Sequence, residues 1–430
     1  MKTWIRWAIL HGTPGALLRR GARRGDPLAR FIADPSVGVD PYPLGDELRA
    51  RGRLVYTSRV WATADYEICR TILRDKSFGI TPPEIVSLPA PIRYLIRATD
   101  PKLASPVEPP AMLMVDPPAH TRYRKLVAQA FTPRAVARLH DRIAEVTEEL
   151  LTGLRSREHA DLIDDFALQL PVAIICEILG LPADKRALML ELGEAGSPLL
   201  DIGISWKTFR DALAALRMSQ AELTEHLDTL RAAPGDNILS DLVAGGELST
   251  RELLSTATLL AGAGFETTVN LIGNGIMLLH RHPDQLALLR ADPQRWPGAI
   301  EEILRYDSPV QMTSRTALRD VEIAGHAIPA GSVFALLLGP ANRDPRTFTA
   351  PNEFDITRAN ARDHLSFSGG VHSCLGASLA RTEGAIALRT LHDRYPDLHL
   401  TGTAQRRELV NLRGYRHIPV IPGLPATVGA

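Results

Sequence analysis

The sequence contains few cysteines, and this scarcity excludes several classes of protein. Its 430 residues include three, Cys69, Cys176 and Cys374. Three cysteines in so long a chain do not make a disulfide scaffold, and they suit a reducing cytosol. The chain has no Cys-x-x-Cys pair, and no zinc site is predicted. Cys69 and Cys176 lie in apolar helical patterns and are predicted to be buried core residues, which leaves Cys374 to be explained.

The sequence also lacks an excess of charge and an internal boundary. Lys and Arg together number 49, and so do Asp and Glu, which makes the formal net charge zero and gives no indication of a nucleic-acid partner. No Gly/Ser-rich linker, repeat or low-complexity tract divides the chain. We therefore predict an irregular, basic N-terminal lead-in over residues 1–40 and one large domain over residues 41–430.

Neither of two apolar stretches is predicted to cross a membrane. Residues 1–10 are too short to span a bilayer and are interrupted by Arg6. Four arginines follow within residues 19–24, which favours a solvated basic helix, with peripheral contact with a membrane surface as the alternative. Residues 253–279 are almost long enough to span, but they include Glu266, Asn270 and Asn274. A buried central helix with functional polar groups explains this stretch better.

What the sequence does contain is a glycine-rich loop around Cys374. Residues 367–376 read Phe-Ser-Gly-Gly-Val-His-Ser-Cys-Leu-Gly, and a helical pattern follows. Glycine lets the backbone turn sharply and approach a partner closely. A sulfur at Cys374 would lie near a helix N-terminus, where the helix dipole favours an anion, and a thiolate is an axial ligand for haem iron. The alternative is a catalytic thiol, for which the sequence shows no nearby base.

The spacing within this loop resembles the haem-binding loop of the cytochrome P450 family. The family pattern consists of a phenylalanine, a glycine, a basic residue, the ligating cysteine and a second glycine, which correspond here to Phe367, Gly370, His372, Cys374 and Gly376. Ser368 replaces a glycine that is frequent in the family. The resemblance implies that these five residues bind haem b and that Cys374 is the axial ligand of its iron.

A second resemblance lies in the central helix, where residues 263–268 read Ala-Gly-Phe-Glu-Thr-Thr. An acid beside an alcohol on an apolar helix can relay protons. The stretch resembles the oxygen-binding helix of the family, with Glu266 as the acid, Thr267 as the alcohol, and Ala263 and Gly264 beside the haem. Without the resemblance, it would equally indicate a helix with one satisfied polar pair.

Two features of this helix carry further expectations. Burial of Glu266 would raise the pKa of its carboxyl group, because desolvation penalises the charged form. Glycine inside a helix costs about 1 kcal/mol relative to alanine. Gly264 therefore indicates a close approach or a kink, and dioxygen is expected in the space that it opens.

His120 and Arg124 are four residues apart and would share one helix face. On their own they indicate a solvated basic helix. The family resemblance implies instead that they reach one haem propionate and that Arg315 reaches the other.

Glu302 and Arg305 are three residues apart and could form an exposed helical ion pair. The resemblance implies a buried structural pair beneath the haem loop. The family often adds a third arginine shortly before that loop. Either Arg358 takes this role or the set is incomplete.

The motifs occur in the order typical of the family, and together they imply a fold and an activity. The expected fold is mainly α with small β-sheets, closed as a single domain around haem b. The expected activity is that of a soluble, cytoplasmic bacterial monooxygenase that inserts one oxygen atom of O2 into a hydrophobic small molecule. Two alternatives are a haem-thiolate peroxygenase or isomerase, which retention of Glu266 and Thr267 disfavours, and a non-catalytic haem-binding sensor.

The resemblance also implies partners. The chain has no Rossmann glycine fingerprint and no flavin segment, so two electrons are expected from a separate ferredoxin and ferredoxin reductase. The ferredoxin is expected on a basic face near Cys374, with Arg122 and Lys125 as candidates. A monomer is expected.

The substrate pocket is predicted from apolar residues near these motifs. Its candidate walls are a proline-rich loop over residues 77–115, residues 199–204, and the side chains of Leu259, Phe265, Val310 and Thr313. Apolar walls favour a hydrophobic ligand, such as a lipid, terpenoid, steroid or polyketide.

Overall fold

Helices account for most of the computed structural model, which describes residues 1–34, 40–80, 89–155 and 157–423. Strands are short and form small sheets. The prediction of a mainly α fold with small β-sheets is confirmed.

The helices up to residue 196 alternate with short loops. They are α1 (Lys2–Trp7), α2 (Thr13–Arg23), α3 (Pro27–Ala33), α4 (Tyr42–Arg51), α5 (Tyr66–Arg74), α6 (Ala90–Ala98), α7 (Ala119–Val127), α8 (Pro133–Arg138), α9 (His140–Leu154), α10 (Gln169–Leu179) and α11 (Arg186–Gly196).

The remaining helices, which include the longest ones, follow from residue 206 onward. They are α12 (Trp206–Ala232), α13 (Ile238–Gly245), α14 (Thr250–Arg281), α15 (Pro283–Ala291), α16 (Trp296–Tyr306), α17 (Leu338–Ala341) and α18 (Ala377–Arg394). Single turns of 3-10 or π helix join several of them, at Ala8–Gly12, Met112–Met114, Ala128–Phe131, Ile163–Ala167, Ala183–Lys185, Ser197–Leu200, Pro293–Arg295, Ala361–Asp363 and Gly370–His372.

The strands form four small sheets. They are β1 (Val55–Thr57), β2 (Val60–Thr63), β3 (Phe78–Gly79), β4 (Ala160–Asp161), β5 (Thr313–Ala317), β6 (Val321–Ile323), β7 (His326–Ile328), β8 (Val333–Leu336), β9 (His399–Leu400), β10 (Gln405–Arg406), β11 (Tyr415–His417) and β12 (Pro419–Ile421). The largest sheet has the order β1-β2-β8-β5-β3, with β2 parallel to β8, and the others are β4-β12-β9, β10-β11 and β6-β7. Strands β1 and β2 form a hairpin around residues 57–58, and β6 and β7 form another within residues 321–328.

Helix α14 runs through the centre of the main core. Ser249 and Glu252 form a capping box at its start, which satisfies N–H groups that a helix N-terminus leaves unpaired. The helix packs against α10, α12 and α18, and most of its side chains are buried. Residues 262–264 and Thr267 are the uncovered stretch, and they border the main cavity. None of the described helices combines the length and apolarity needed to span a bilayer.

The prediction of an irregular lead-in over residues 1–40 is wrong for its described part. Helices α1, α2 and α3 occupy most of residues 2–33. Pro14 and Pro27 do not break them, because each lies in the first turn, where no intrahelical N–H bond is lost. Leu28 and Phe31 pack against α4 in a common apolar cluster. The division at residue 40 stays a prediction.

The proline-rich loop over residues 77–115 contains a helix of its own. Helix α6 follows Pro89 and has Pro91 in its first turn, and none of its side chains is buried. Pro82 and Pro83 lie outside the described residues.

Candidate active site

A cavity of about 410 Å³ lies between α14 and the glycine-rich loop. All four predicted pocket residues line it, and so do Pro106 of the proline-rich loop and Leu200. The two predicted catalytic residues, Glu266 and Thr267, line it as well. So do most of the predicted cofactor residues: His120, Arg124, Ala263, Gly264, Arg315, Phe367, His372, Cys374 and Gly376. Residues separated by more than 250 positions therefore meet at one cavity, as the motifs predicted. Sequence reasoning missed the wall that α11 supplies: Met189, Leu192, Gly193 and Gly196.

The loop over residues 367–376 adopts a conformation that only part of its sequence favours. Gly370 has a φ of +66°, and a Cβ there would lie 2.1 Å from the carbonyl oxygen of Leu73, so glycine is required. Ser368 has a φ of +59°, which costs a residue with a side chain roughly 1–2 kcal/mol. This explains why a glycine is frequent at the position of Ser368. The hydroxyl oxygen of Ser368 accepts a hydrogen bond from Nη2 of Arg315 at 3.3 Å.

Cys374 lies just before α18, as predicted, and its side chain is open to the cavity. The backbone N–H of Cys374 donates to the carbonyl of Phe367 at 2.9 Å, which closes the loop. Burial raises the pKa of the thiol, while the amide of Gly376 and the guanidinium groups of Arg124 and Arg381 act in the opposite direction. Without a ligand, desolvation therefore outweighs the groups that favour a thiolate at Cys374. A bound metal cation would reverse this balance.

Two histidine rings lie in contact, tilted relative to each other, at the edge of the cavity. The rings of His120 and His372 lie 4.2 Å apart between centroids, and burial lowers the pKa of His120 to about 4, with His372 and Arg124 adding to the effect. Nε2 of His372 has no hydrogen-bond partner among the described residues and lies 3.6 Å from a carboxylate oxygen of Asp116. Arg124 donates to the carbonyl of Ser373 at 2.8 Å, which ties α7 to the loop.

Arg315 brings a second guanidinium group to this edge. It is 4% exposed, and its hydrogen bonds to described residues go to neutral oxygens, those of Thr313, Ser314 and Ser368. Burial lowers its pKa to about 10, and Asp116 partly offsets the effect. Burial of a cation that Asp116 only partly compensates is costly, so this edge of the cavity would be stabilised by an anionic ligand.

These observations fit haem b. The donor set combines a soft sulfur open to the cavity at Cys374 with arginine and histidine groups that can bind two carboxylates at one edge. The remaining walls are mainly apolar, as a porphyrin ring requires.

On the α14 side, Glu266 is buried but has a partner. Its Oε1 accepts from Nη1 of Arg407 at 2.8 Å. Burial raises the pKa of Glu266, as predicted, and Arg407 opposes the shift. Arg407 also lies 3.4 Å from Glu194 of α11, which pairs with Arg416 at 3.2 Å. Sequence reasoning missed Arg407, because 141 positions separate it from Glu266 and nothing local marks the pair.

The hydroxyl of Thr267 donates to the carbonyl of Ala263 at 3.2 Å, within the same helix. Gly264 does not open the cavity through its missing side chain. A Cβ at Gly264 would lie 2.7 Å from Ile175 of α10, so the glycine permits close packing of α10 on α14. The expectation that this glycine makes room for dioxygen is corrected: only its backbone borders the cavity.

Glu302 and Arg305 form a fully buried ion pair, with both side chains 0% exposed. The two N···O distances are 2.7 and 2.8 Å. Arg358 completes the set, since its Nε lies 3.2 Å from both carboxylate oxygens of Glu302. The question left open by the sequence is therefore answered in favour of Arg358.

A second buried cluster was not predicted. Glu301 accepts from Arg381 of α18 at 2.8 Å, and Nε2 of His364 lies 3.0 Å from its other oxygen. Burial raises the pKa of Glu301, but the bonds to His364 and Arg381 outweigh it and lower the pKa to about 2. Arg381 also lies over the ring of Phe367, 4.5 Å from its centroid. His364 thus helps to hold the loop, a role that no motif in the sequence indicates.

Comparison with known proteins identifies the family. A family model described as cytochrome P450 matches residues 297–399. The putative cytochrome P450 140 of Mycobacterium tuberculosis is 44% identical over 435 aligned residues, which cover 98% of each chain. The chain belongs to the cytochrome P450 family. The 6-deoxyerythronolide B hydroxylase of Saccharopolyspora erythraea is 44% identical over 71% of this P450 and 76% of its own length.

Solved structures agree with this assignment. P450BioI, in complex with acyl carrier protein ligated to hexadec-9Z-enoic acid, has a TM-score of 0.81 and 36% identity, and covers 90% of this P450 and 99% of its own chain. CYP164A2 of Mycobacterium smegmatis has a TM-score of 0.82 and 35% identity, and covers 92% and 99%. This P450 is therefore a monooxygenase, an oxidoreductase with haem b as its cofactor, of the actinobacterial type.

The buried set around Glu302 yields a stability prediction. Glu302→Gln would leave two guanidinium groups buried without a counter-charge, and we expect the free energy of unfolding to fall by about 3–5 kcal/mol. Urea denaturation followed by circular dichroism measures this. Glu353→Gln is the matched control, because Glu353 contributes only its backbone carbonyl to Arg305 and Arg358 and its side chain is exposed. Equal stability of the two variants would contradict the buried-pair interpretation.

Proposed function

We propose that this P450 inserts one oxygen atom of O2 into a hydrophobic small molecule, with two electrons supplied by a separate ferredoxin. The observation that carries the proposal is that one cavity is lined both by the cavity-facing sulfur of Cys374 and by the Glu266–Thr267 stretch of α14. Haem b, when bound, supplies the activation of dioxygen.

The residues of the cavity have separate roles in this proposal. Cys374 ligates the iron through Sγ, and Phe367, Gly370 and Gly376 shape the loop around it. The arginines and histidines at the cavity edge bind the two propionates through charge-assisted hydrogen bonds: His120, Arg124, Arg315 and His372. Ala263 and Gly264 lie beside the ring on the α14 side.

Glu266 and Thr267 are proposed as the proton relay. Thr267 presents a hydroxyl at the cavity wall, and the buried carboxyl group of Glu266 has a raised pKa, which favours its protonated form. Arg407 holds Glu266 by an ion pair. Proton delivery therefore requires the Glu266 carboxyl group to leave Arg407 or to share its proton while it remains bound.

The substrate is proposed to be apolar, because Leu259, Phe265 and Val310 line the cavity together with apolar residues of α11 and α12, namely Met189, Leu192 and Leu216. The names of similar proteins support the class: one is a 6-deoxyerythronolide B hydroxylase, another a vitamin D(3) 25-hydroxylase, and a solved structure carries hexadec-9Z-enoic acid on acyl carrier protein. A screen of such compounds for a shift of the haem Soret band would select among them.

The ligand assignment predicts a spectrum. Reduced protein exposed to carbon monoxide should show the long-wavelength Soret band that is diagnostic of thiolate-bound haem iron, and Cys374→Ser should lose it. Cys176→Ala is the control, since Cys176 is a buried core residue far from the loop in sequence. A purified protein that takes up no haem, or a band typical of an imidazole ligand, would refute the function.

The relay predicts uncoupling. In Thr267→Ala, the product formed per NADH should fall by roughly one to two orders of magnitude, while oxygen uptake continues and peroxide accumulates. Thr267→Ser keeps the hydroxyl and should restore most of the coupling. An unchanged product yield in Thr267→Ala would count against the relay, and turnover that needs peroxide but no reductase would establish the peroxygenase alternative.

The relay also predicts a pH effect for Arg407. Its cation favours the charged form of Glu266, so Arg407→Gln should raise the pKa of that carboxyl group further. The amount of product formed per NADH is measured across a range of pH. The midpoint of its pH dependence should move to higher pH in Arg407→Gln, and it should stay unchanged in Arg407→Lys, which keeps the cation.

The proposed docking face for the electron donor lies beside the loop. Arg122 is less available than predicted, because it pairs with Glu252 and donates to the carbonyl of Glu247, whereas Lys125 is exposed. The exposed Arg74 of α5 lines a surface depression together with Gly369 of the loop, and Arg70 and Arg362 line it as well. Two acidic residues, Glu67 and Asp363, line the same depression, so its three arginines leave a positive formal charge that favours an acidic ferredoxin. A ferredoxin as donor also implies a cytoplasmic enzyme.

A charge reversal tests this face. At low ionic strength, Arg74→Glu should slow reduction by ferredoxin roughly fivefold, and the difference should shrink as salt screens the charges. Arg20→Glu is the control, since Arg20 is an exposed arginine on α2, which packs on α3, and it does not line the depression. Reduction rates that are identical in Arg74→Glu and the unmodified enzyme at low salt would exclude Arg74 from the interface.

A further inference from the structure

The N-terminal helices lie across two segments that border the cavity. One is the linker between α11 and α12, over residues 197–205, and the other is the stretch over residues 96–108. We propose that residues 2–12 form a strap that holds these two segments together, and that Arg6 and Trp7 are positioning residues that determine which ligands enter the cavity. The inference rests on the proposed use of the cavity for substrate.

Trp7 fastens the strap to the linker. Its Nε1–H donates to the carbonyl of Ile204 at 2.9 Å, and its ring meets the edge of the Trp206 ring with 5.9 Å between centroids. One turn further along, the ring of His11 packs on Phe209 at 5.1 Å. A hydrogen bond and two aromatic contacts therefore hold the linker and the start of α12 to the N-terminal segment.

Arg6 fastens the same strap to the other segment. It is 5% exposed, which is unusual for an arginine near a chain terminus. Its Nη2 lies 2.6 Å from the carboxylate of Glu108, and its Nη1 donates to the carbonyl of Ile96 at 2.9 Å. Consecutive residues, Arg6 and Trp7, thus bind the two segments, one each.

Both anchored segments form part of the cavity wall. Val107, next to Glu108, lines the cavity, and so do Ser197 and Leu200 of the linker. Leu216 of α12 lines it as well and belongs to the apolar cluster into which Trp7 packs. One layer of side chains therefore separates the strap from the ligand space.

Helix α6, which leads into the stretch that Arg6 holds, has little packing of its own. None of the side chains of α6 is buried, and its last turn is bonded to Arg6 through Ile96. Segments with few buried apolar contacts open at low free-energy cost. A bulky ligand that needs the two segments to separate must break the bonds of Arg6 or Trp7, whereas a small ligand need not.

Ligands of two sizes test the strap. Imidazole and econazole can be mixed rapidly with the ferric holoenzyme while the Soret band is followed. In Trp7→Ala, association and dissociation of econazole should each accelerate roughly fivefold, about the effect of losing one hydrogen bond with its packing, and imidazole should change by less than about twofold. Trp7→Phe, which keeps the ring but loses the N–H donor, should be intermediate, and Glu108→Gln should resemble it. Leu17→Ala, on the exposed side of α2, should behave as the unmodified enzyme.

Hydrogen exchange provides a readout that does not depend on the haem. Peptides within residues 96–108 and 197–205 should exchange faster in Trp7→Ala, with the rest of the chain unchanged. Unaltered exchange in both segments, or equal acceleration of imidazole and econazole, would overturn the strap. Failure of econazole to shift the Soret band in the unmodified enzyme would instead refute the proposed use of the cavity, and hydrogen exchange would still decide the strap.

Discussion

The loop that carries Cys374 depends on the buried guanidinium group of Arg305. All five of its hydrogen bonds are made inside the protein: two to Glu302 and three to the backbone carbonyls of Asn342, Pro351 and Glu353. Asn342 in turn accepts from the backbone N–H of Leu365 at 2.6 Å. A charge removed from water is tolerated only when each of its donors is satisfied. The irregular chain before the loop is therefore held in one conformation, and the sulfur with it.

Buried ion pairs with Asp307 also hold the hairpin of β10 and β11 in place. This hairpin supplies the cation that pairs with Glu266 of α14. Asp307 accepts from Arg413 at 2.6 Å and from Arg406 at 2.7 Å, and these guanidinium groups hold the pKa of its carboxyl group well below the usual range despite burial. Arg407, next to Arg406, is thereby brought to Glu266. The acid of the proposed relay is thus balanced between desolvation, which favours the neutral form, and a cation held by a separate cluster, which favours the charged form.

Sites whose residues lie close together in the sequence could be predicted from it. Contacts between residues that are far apart in the sequence could not. Glu266 with Thr267, Glu302 with Arg305, and the ten residues around Cys374 were identified because each motif lies within a turn or a loop. The pairs Arg407–Glu266 and Glu301–His364 join residues 141 and 63 positions apart, and no periodicity marks them. Gly264 shows a different limit: its presence predicted a special backbone site, but whether Ile175 or a ligand filled the space depended on helix packing.

The two sides of the cavity are held in different ways, and this decides where a ligand can enter. On the sulfur side, ion pairs with no solvent exposure and the 2.9 Å bond from Cys374 to Phe367 fix the loop. On the opposite side, α6 has no buried side chain, and the linker before α12 is bonded to a helix at the chain terminus. Opening the first side would expose unpaired charges, whereas opening the second separates a few hydrogen bonds and one ion pair. The cavity should therefore admit ligands past α6 and the linker, while the position of the sulfur stays unchanged.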